Sequence, residues 1–186
     1  MTEESQKNVA IPAGRSAWST VRSWLRDLFI ALALAAIVII FLYQPVKVEG
    51  TSMWPGLEDQ ERIFINKFVY RVEAIQRDDV IVFHYPGEPS QSYIKRVIGL
   101  PGDTVKIVRG AVIVNGRALN EPYVPLDYGD TRSMAEQVVA PDCYFVLGDH
   151  RSVSKDSRTF GCVPRRYIYG KAVFVYWPVD KLGTLR

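Results

Sequence analysis

The segment from Leu28 to Tyr43 reads LFIALALAAIVIIFLY, sixteen residues without a charged or strongly polar side chain. As an α-helix it would be about 24 Å long, somewhat short of the ~30 Å hydrocarbon core of a bilayer. Trp24 and Tyr43 suit the two membrane interfaces and the Arg26 side chain can snorkel, which makes up much of the difference. The segment therefore predicts a transmembrane anchor over residues 28–44.

Two other interpretations of this segment are a buried core helix and the apolar part of a cleaved signal peptide. A core helix should keep a polar face, and residues 28–43 have none. A signal peptide rarely carries so many polar residues ahead of its apolar part as residues 1–27 do, and the usual small-x-small cleavage site does not follow Tyr43. A retained anchor is the favoured interpretation.

The distribution of Lys and Arg around the anchor predicts its orientation. Within about fifteen residues of its ends, three arginines precede the segment, Arg15, Arg22 and Arg26, and one lysine, Lys47, follows it. The positive-inside rule then makes residues 1–27 a loosely ordered cytoplasmic tail and residues 45–186 an extracytoplasmic domain. The expected location is the cell (plasma) membrane, with a single pass.

The composition limits the kinds of partner and cofactor. A net charge of +3 without any basic block gives no reason to expect nucleic acid as a partner. Cys143 and Cys162, with His84 and His150 as the only histidines, do not outline a zinc site, so no metal is expected. The two cysteines either form a disulfide, which an extracytoplasmic location permits, or are two small buried residues.

Short β-type runs, broken by Gly, Pro and Asp, follow the anchor. They are 46–49, 62–68, 79–85, 93–99, 104–108, 111–115, 143–148 and 171–177. Arg109-Gly110 and Asn115-Gly116 are hairpin turn signals, so residues 104–119 should form a small meander. Residues 120–140 look like a loop-rich insertion. The pattern predicts a mostly β exterior domain, a twisted and partly closed antiparallel sheet assembly.

Residues 50–57 read GTSMWPGL and pose the question of what Ser52 does. A serine in a Gly/Pro-rich bend is usually a turn residue, whereas a nucleophilic serine needs a base. Nine residues separate Ser52 from Tyr43, and fully extended they span at most about 30 Å. Ser52 must therefore lie near the membrane surface, a placement that a membrane-embedded substrate would require.

Three side chains are candidates for the base. His84 ends an apolar run, and a histidine in such a place more often has a structural role than a catalytic one. His150 follows Asp149, and a neighbouring Asp and His on a loop usually form only a solvated pair. Lys95 lies in SYIKRVIGLPGD, where Tyr93 and Val97 share its strand face and Arg96 takes the other. A lysine base must be desolvated, so that its pKa falls by several units. Most strand lysines are solvated, so this pattern alone leaves the choice open.

Four blocks in order after the anchor resemble the type I signal peptidases, membrane-anchored serine proteases that remove signal peptides from exported proteins. They are GTSMWPGL with DQERIFINKF, then RDDVIVFHYP, YIKRVIGLPGD and GDHRSVSKDSRTFGCVP. The resemblance runs from the anchor to near the C-terminus and implies the β fold of that family and no cofactor. It also implies exported preproteins as substrates, with small residues at positions −1 and −3, and contact with the lipid bilayer.

The resemblance implies a role for each matching residue. Ser52 corresponds to the nucleophile, which also offers its backbone N–H to the oxyanion, and Lys95 to the general base. Ser154 corresponds to the hydroxyl that orients the lysine. The supporting residues implied are Asp156, Arg158, Asp149, Arg151 and Ser157. Those implied near the substrate pockets are Met53, Tyr93 and Ile94.

Three positions depart from the usual pattern of the family. Gly50 stands where some members have a hydroxyl that helps bind the oxyanion, so backbone N–H groups should do this here. Gly56 replaces a usual Thr and should loosen the loop behind the nucleophile. His150 replaces an amide. Gly56 is the reason for one alternative, an impaired, membrane-tethered β domain that binds peptides without cutting them. Two further alternatives are a self-cleaving protease like the SOS-type repressors and a histidine triad.

Overall fold

A computed structural model describes residues 17–185, which fall into two compact units that divide between Phe41 and Leu42. The first unit is dominated by helix α1, which spans Ala17–Leu42. Of the predicted tail, residues 1–16 lie outside the described residues, and residues 17–27 belong to this helix.

Helix α1 contains an apolar span long enough to cross a bilayer. The span runs over Thr20–Leu42, 23 residues, and none of its most apolar window is buried inside the protein. At 1.5 Å per residue it measures about 35 Å, so the shortfall expected for residues 28–43 disappears. A buried core helix is therefore the wrong interpretation of this segment.

The second unit is built mainly from strands. Its two short α-helices are α2 (Val69–Val72) and α3 (Ser157–Phe160). Its strands are β1 (Tyr43–Lys47), β2 (Arg62–Asn66), β3 (Val80–His84), β4 (Ser92–Gly99), β5 (Thr104–Val108), β6 (Ala111–Val114), β7 (Arg117–Ala118), β8 (Met134–Val138), β9 (Cys143–Leu147), β10 (Val163–Pro164), β11 (Ile168–Trp177) and β12 (Gly183–Thr184).

The strands form two antiparallel sheets. The larger has the order β1-β2-β11-β3-β4-β9-β10, with β12 paired to β11, and the smaller has the order β7-β6-β5-β8. The predicted mostly β, antiparallel fold is confirmed. The predicted meander is β5-β6-β7, and the residues of its turns, Arg109-Gly110 and Asn115-Gly116, have the positive φ angles that hairpin turns require.

The predicted loop over residues 120–140 is wrong in its last third. Strand β8 lies there and pairs with β5, with Thr104 opposite Val138. Its sequence, MAEQV, has four exposed residues out of five, so it carries little hydrophobic periodicity. The strand is fixed by its long-range partner rather than by its own pattern.

The loop that carries Ser52 is anchored in the core of the larger sheet. Met53 and Leu57 are almost fully buried and belong to a cluster with Ile63 and Val82. These two apolar side chains follow Ser52 within five residues. The burial of each one stabilises the loop by about 1.5–3 kcal/mol. The nucleophile candidate therefore sits on a packed support rather than on a free turn.

Cys143 and Cys162 form a disulfide. It joins the start of β9 to the residue before β10, and the enclosed segment contains Asp149, Ser154 and Asp156. Of the two alternatives left open for these cysteines, the bonded one is correct. The bond ties together the two ends of the segment that carries most of the supporting residues.

Removing the disulfide should destabilise the second unit. The sequence separation is 19, and a crosslink over a loop of this size contributes about 3 kcal/mol. We expect the double variant Cys143→Ala/Cys162→Ala to lose about that much free energy of unfolding, measured by urea titration in detergent. Dithiothreitol should produce the same loss in the wild type and none in the variant, and equal stability of the oxidised wild type and the variant would contradict the prediction.

Candidate active site

Ser52 lies in a compact turn between β1 and β2. Trp54 donates its N–H to the Thr51 carbonyl at 3.2 Å, and Leu57 donates to the Met53 carbonyl at 2.9 Å. These bonds satisfy the backbone of the bend on both sides of Ser52. The Ser52 side chain is half-buried and lines a cleft.

Lys95 approaches Ser52 from the middle of the larger sheet. It lies on β4, opposite Ile81 of β3, and only 4% of it is exposed. Its Nζ donates to Ser52 Oγ at 2.6 Å and to the Ile94 carbonyl at 2.9 Å. Two residues separated by 43 positions are thus brought within direct proton-transfer distance.

Burial lowers the pKa of Lys95 from its ordinary value of 10.5 to about 8, because an apolar environment penalises the charged ammonium. The carboxylates of Asp156 and Asp149 act in the opposite direction. Each of them is already paired with an arginine, Asp156 with Arg158 and Asp149 with Arg96, both at 2.7 Å. Desolvation therefore prevails, and roughly a tenth of the amine is neutral at pH 7.

Ser154 lies in the turn between β9 and α3, beside the loop that carries Ser52. Its Oγ is buried and has no hydrogen-bond partner in the described part of the chain. A Cβ placed on Gly148 would lie 2.3 Å from Ser154 Oγ and 2.4 Å from the Ser52 carbonyl oxygen, so these three residues meet closely. That Ser154 orients the lysine amine stays a prediction, since no bond between them is present here.

Asp156 organises the segment after Ser154. Its carboxylate accepts hydrogen bonds from the backbone N–H of Gly148 at 3.2 Å and from that of Arg158 at 3.2 Å, capping α3. The Arg158 guanidinium donates to both carboxylate oxygens, at 2.8 and 2.7 Å. Ser157 Oγ accepts from the Val146 N–H at 2.9 Å. The predicted supporting residues thus connect the segment to β9.

Two acidic residues that the sequence analysis missed brace the same segment. Glu121 accepts two hydrogen bonds from the buried Arg151, at 2.9 and 2.5 Å. Asp130 accepts from Arg158 at 2.6 Å, on the guanidinium that also binds Asp156. Glu121 and Asp130 belong to the insertion between β7 and β8, whose sequence has no periodicity, so no local signal pointed to these long-range ion pairs.

The Arg96 side chain extends to the face opposite Lys95, as predicted. It donates to Asp149 at 2.9 and 2.7 Å, and its guanidinium lies 4.0 Å from the centre of the Tyr123 ring. A Cβ on Gly56 would lie 3.1 Å from Asp149 Oδ2. Because Gly56 has no side chain, the buried Asp149 carboxylate can pack directly against the loop that carries Ser52.

The two histidines have other contacts. The His150 Nδ1 lies 3.2 Å from the Thr51 carbonyl oxygen, and the ring packs edge-on against Tyr128. The backbone N–H of His150 donates to the Ser52 carbonyl at 3.1 Å. The His84 ring packs against Tyr169. Within residues 17–185 neither imidazole bonds to the Ser52 hydroxyl, and no cluster of three His, Cys, Asp or Glu could hold a metal ion.

A cleft of about 680 Å³ opens in front of Ser52 and Lys95. One wall is residues 46–50, and the other is residues 90–95, including the predicted Tyr93 and Ile94; Met53 and Val82 also line it. Strand β9 pairs with β4 only from Arg96 onwards. The β4 backbone before Arg96 therefore presents a free edge, where an extended peptide can add as a strand.

Gly50 has a φ of +92°, a left-handed conformation that disfavours any residue with a side chain. Its N–H donates to Asp59 at 2.8 Å. A hydroxyl residue at position 50 would be strained, which explains glycine there. The Ser52 N–H donates to no backbone carbonyl in the described part of the chain. That it binds the oxyanion stays a prediction.

Comparison with known proteins gives consistent matches. The model of the signal peptidase family, peptidase S26, matches residues 21–177. A signal peptidase I from Leptolyngbya laminosa is 38% identical over 177 residues, covering 90% of this chain and 85% of the relative. A signal peptidase I from Bacillus caldolyticus is 41% identical, covering 83% and 91%. Signal peptidase I T from Bacillus subtilis (strain 168) is 34% identical, covering 98% of both chains.

Proposed function

This chain belongs to the signal peptidase family, peptidase S26, and is a peptidase that cleaves signal peptides from preproteins; we propose that the reaction proceeds through Ser52 as nucleophile and Lys95 as general base. The observation that carries this proposal is the 2.6 Å separation of Lys95 Nζ and Ser52 Oγ, formed by a buried amine whose pKa is lowered to about 8.

The proposed chemistry is acyl transfer. The neutral amine of Lys95 takes the Ser52 proton while Oγ attacks the carbonyl carbon at the end of the signal peptide. The tetrahedral intermediate collapses, the C–N bond breaks, and Lys95 returns the proton to the departing amine of the mature protein. Lys95 then deprotonates a water molecule, which attacks the ester carbonyl; the bond to Ser52 Oγ breaks, Lys95 returns the proton to Oγ, and the signal peptide leaves as a carboxylic acid.

Several groups favour this sequence of steps. We propose that the Ser52 N–H donates to the developing oxyanion, a kind of contact worth about 10²–10³ in rate. Ser154 is proposed to orient the neutral amine through its unpartnered hydroxyl. Asp156 with Arg158, and Asp149 with Arg96, hold the surrounding loops.

The residues that line the cleft support a proposal for the substrate preference. Met53, Tyr93 and Ile94 line it next to Ser52, and we propose that they limit positions −1 and −3 of the preprotein to small side chains. The apolar helix and the family fit a membrane-anchored protein. We propose that its N-terminus is cytoplasmic and that residues 45–186 act outside the cell membrane, where the Cys143–Cys162 disulfide is stable.

The alternative is a relative of this family that binds signal peptides without cutting them. Gly56 was the reason to consider it, because a glycine loosens a loop. The nucleophile loop is nevertheless held by two buried side chains and two backbone hydrogen bonds. The SOS-type repressor alternative has no support, since the family and the apolar helix both point to a signal peptidase.

The test is cleavage of a preprotein with an Ala-x-Ala site by the detergent-solubilised chain, followed across pH 5.5–10 and with the new N-terminus determined by mass spectrometry. Because only neutral Lys95 can accept the proton and its pKa is about 8, kcat/KM should rise about tenfold per pH unit below pH 7 and level off above about pH 8.5. Cleavage should follow the second alanine. A rate that does not change between about pH 6 and 9 would contradict the lysine base, and absence of cleavage would favour the binding alternative.

A further inference from the structure

A column of four side chains connects Lys95 with the surface. Lys95 Nζ lies 5.4 Å from the centre of the Tyr93 ring. Tyr93 stacks on Tyr85 with 4.8 Å between the ring centres and 11° between the planes. The ammonium of Lys155 lies 4.5 Å from the centre of the Tyr85 ring. A second, exposed lysine is therefore linked to the proposed base through two tyrosine rings.

Neighbouring groups hold Tyr85 in this column. Phe160 packs edge-on against Tyr85 at 5.4 Å, a favoured geometry for aromatic pairs. The Tyr85 N–H donates to the Gln91 carbonyl at 2.9 Å. A Cβ on Gly87 would lie 2.8 Å from the Tyr85 ring, so a residue without a side chain lets the ring fold back over this turn. The position of Tyr85 is thus built into the loop after β3.

The position of the Tyr93 ring matters because it lines the cleft through which water reaches Lys95. The groups around the amine are Ser52 Oγ and the Ile94 carbonyl, with the carboxylates of Asp156 and Asp149 acting at longer range. Both carboxylates favour the charged ammonium and are paired with arginines. Exclusion of water by the neighbouring side chains is therefore what lowers the pKa of the Lys95 amine, against the effect of both carboxylates.

We propose that Tyr85 and Lys155 are positioning residues for Lys95: Lys155 holds Tyr85 by a cation–π contact, and Tyr85 holds the Tyr93 ring beside the amine. The inference rests on the proposed function, in which Lys95 is the base.

The experiment measures kcat/KM against pH for the full chain in detergent, with an Ala-x-Ala preprotein. Tyr85→Leu removes the ring, Tyr85→Phe keeps it, and Lys155→Met removes the cation. Lys106→Met serves as the control, because Lys106 is exposed on β5 of the smaller sheet. Thermal unfolding of each variant separates loss of fold from loss of positioning.

We expect the half-point of the acid limb to move up by about one pH unit in Tyr85→Leu, a loss of about tenfold at pH 7 that disappears at high pH. Lys155→Met should shift in the same direction by about half as much. Tyr85→Phe and Lys106→Met should follow the wild-type curve. A merely structural role would lower the rate equally at every pH.

The outcomes separate the inference from the proposal beneath it. If the wild-type rate changes with pH but Tyr85→Leu loses activity without a shift, or Lys155→Met coincides with the wild type, the inference is overturned and Lys95 stands as the base. If the wild-type rate is independent of pH, Lys95 is not the base and both fail. Should Tyr85→Leu not fold, Lys155→Met decides the matter through its pH curve. Its exposed side chain also lines the cleft, and a change in substrate binding alone would not move the half-point.

Discussion

Replacing Lys95 by methionine or Ser52 by alanine should each reduce preprotein cleavage by about 10⁴-fold or more. Methionine fills nearly the same volume as lysine but cannot accept a proton, and alanine removes the attacking oxygen. Ser52 Oγ and Lys95 Nζ lie 2.6 Å apart and are proposed to act as a unit, so the double variant should be no slower than either single variant.

The fold should survive both changes. Lys95 is buried and forms no salt bridge in the described chain, so exchanging it for an apolar side chain removes the cost of burying a charge. Thermal unfolding should therefore occur at the wild-type temperature or slightly above it for Lys95→Met. Lys106→Met and His150→Asn are the matched controls, and both should cleave at close to the wild-type rate. Substantial cleavage by a folded Lys95→Met chain would show that another group is the base.

Gly148→Ala should cost at least about 10²-fold in the rate of cleavage, since a displacement of about 1 Å in an active site has effects of that size. The new methyl group would lie 2.3 Å from Ser154 Oγ and 2.4 Å from the Ser52 carbonyl oxygen. Neither contact is tolerable, and the carbonyl belongs to the backbone of Ser52, the proposed nucleophile. The change should therefore push Ser52 and Ser154 away from Lys95.

Gly183→Ala provides the comparison for Gly148→Ala. A Cβ at Gly183 meets only the Lys181 carbonyl oxygen, at 3.8 Å, an ordinary van der Waals contact. It should leave cleavage unchanged. The Gly148 variant should also unfold at a lower temperature, and full activity with unchanged stability would show that the turn accommodates a side chain.

Much of the fold could be predicted from periodicity. The alternating runs became strands of both sheets, and Arg109-Gly110 and Asn115-Gly116 marked turns, because these patterns are local. Strand β8 was missed because MAEQV is exposed on nearly every residue and is defined by its pairing with β5. Helix α1 starts at Ala17, before the predicted anchor at Leu28, because the polar side chains ahead of Leu28 end the apolar run but do not end the helix.

The proposed dyad could be suggested from sequence, but its geometry could not. A lysine in YIKRVIG has no local sign of being buried, and only the packing of the larger sheet around it shows that it is. The sequence around Glu121 and Asp130 gave no indication of a structural role, since their ion pairs are formed with arginines located 30 and 28 residues later in the chain. The column through Tyr93 and Tyr85 likewise depends on a turn that closes at Gly87.

If a preprotein binds as a strand at the free edge of β4, it must be cleaved before its cleavage region folds. A polypeptide that adds to this edge must be extended, at about 3.3 Å per residue. A cleavage region that has already entered a helix or a sheet of the mature protein does not fit between residues 46–50 and 90–95. Cleavage therefore competes in time with folding, and a preprotein whose N-terminal region folds quickly should remain tethered to the membrane by its signal peptide.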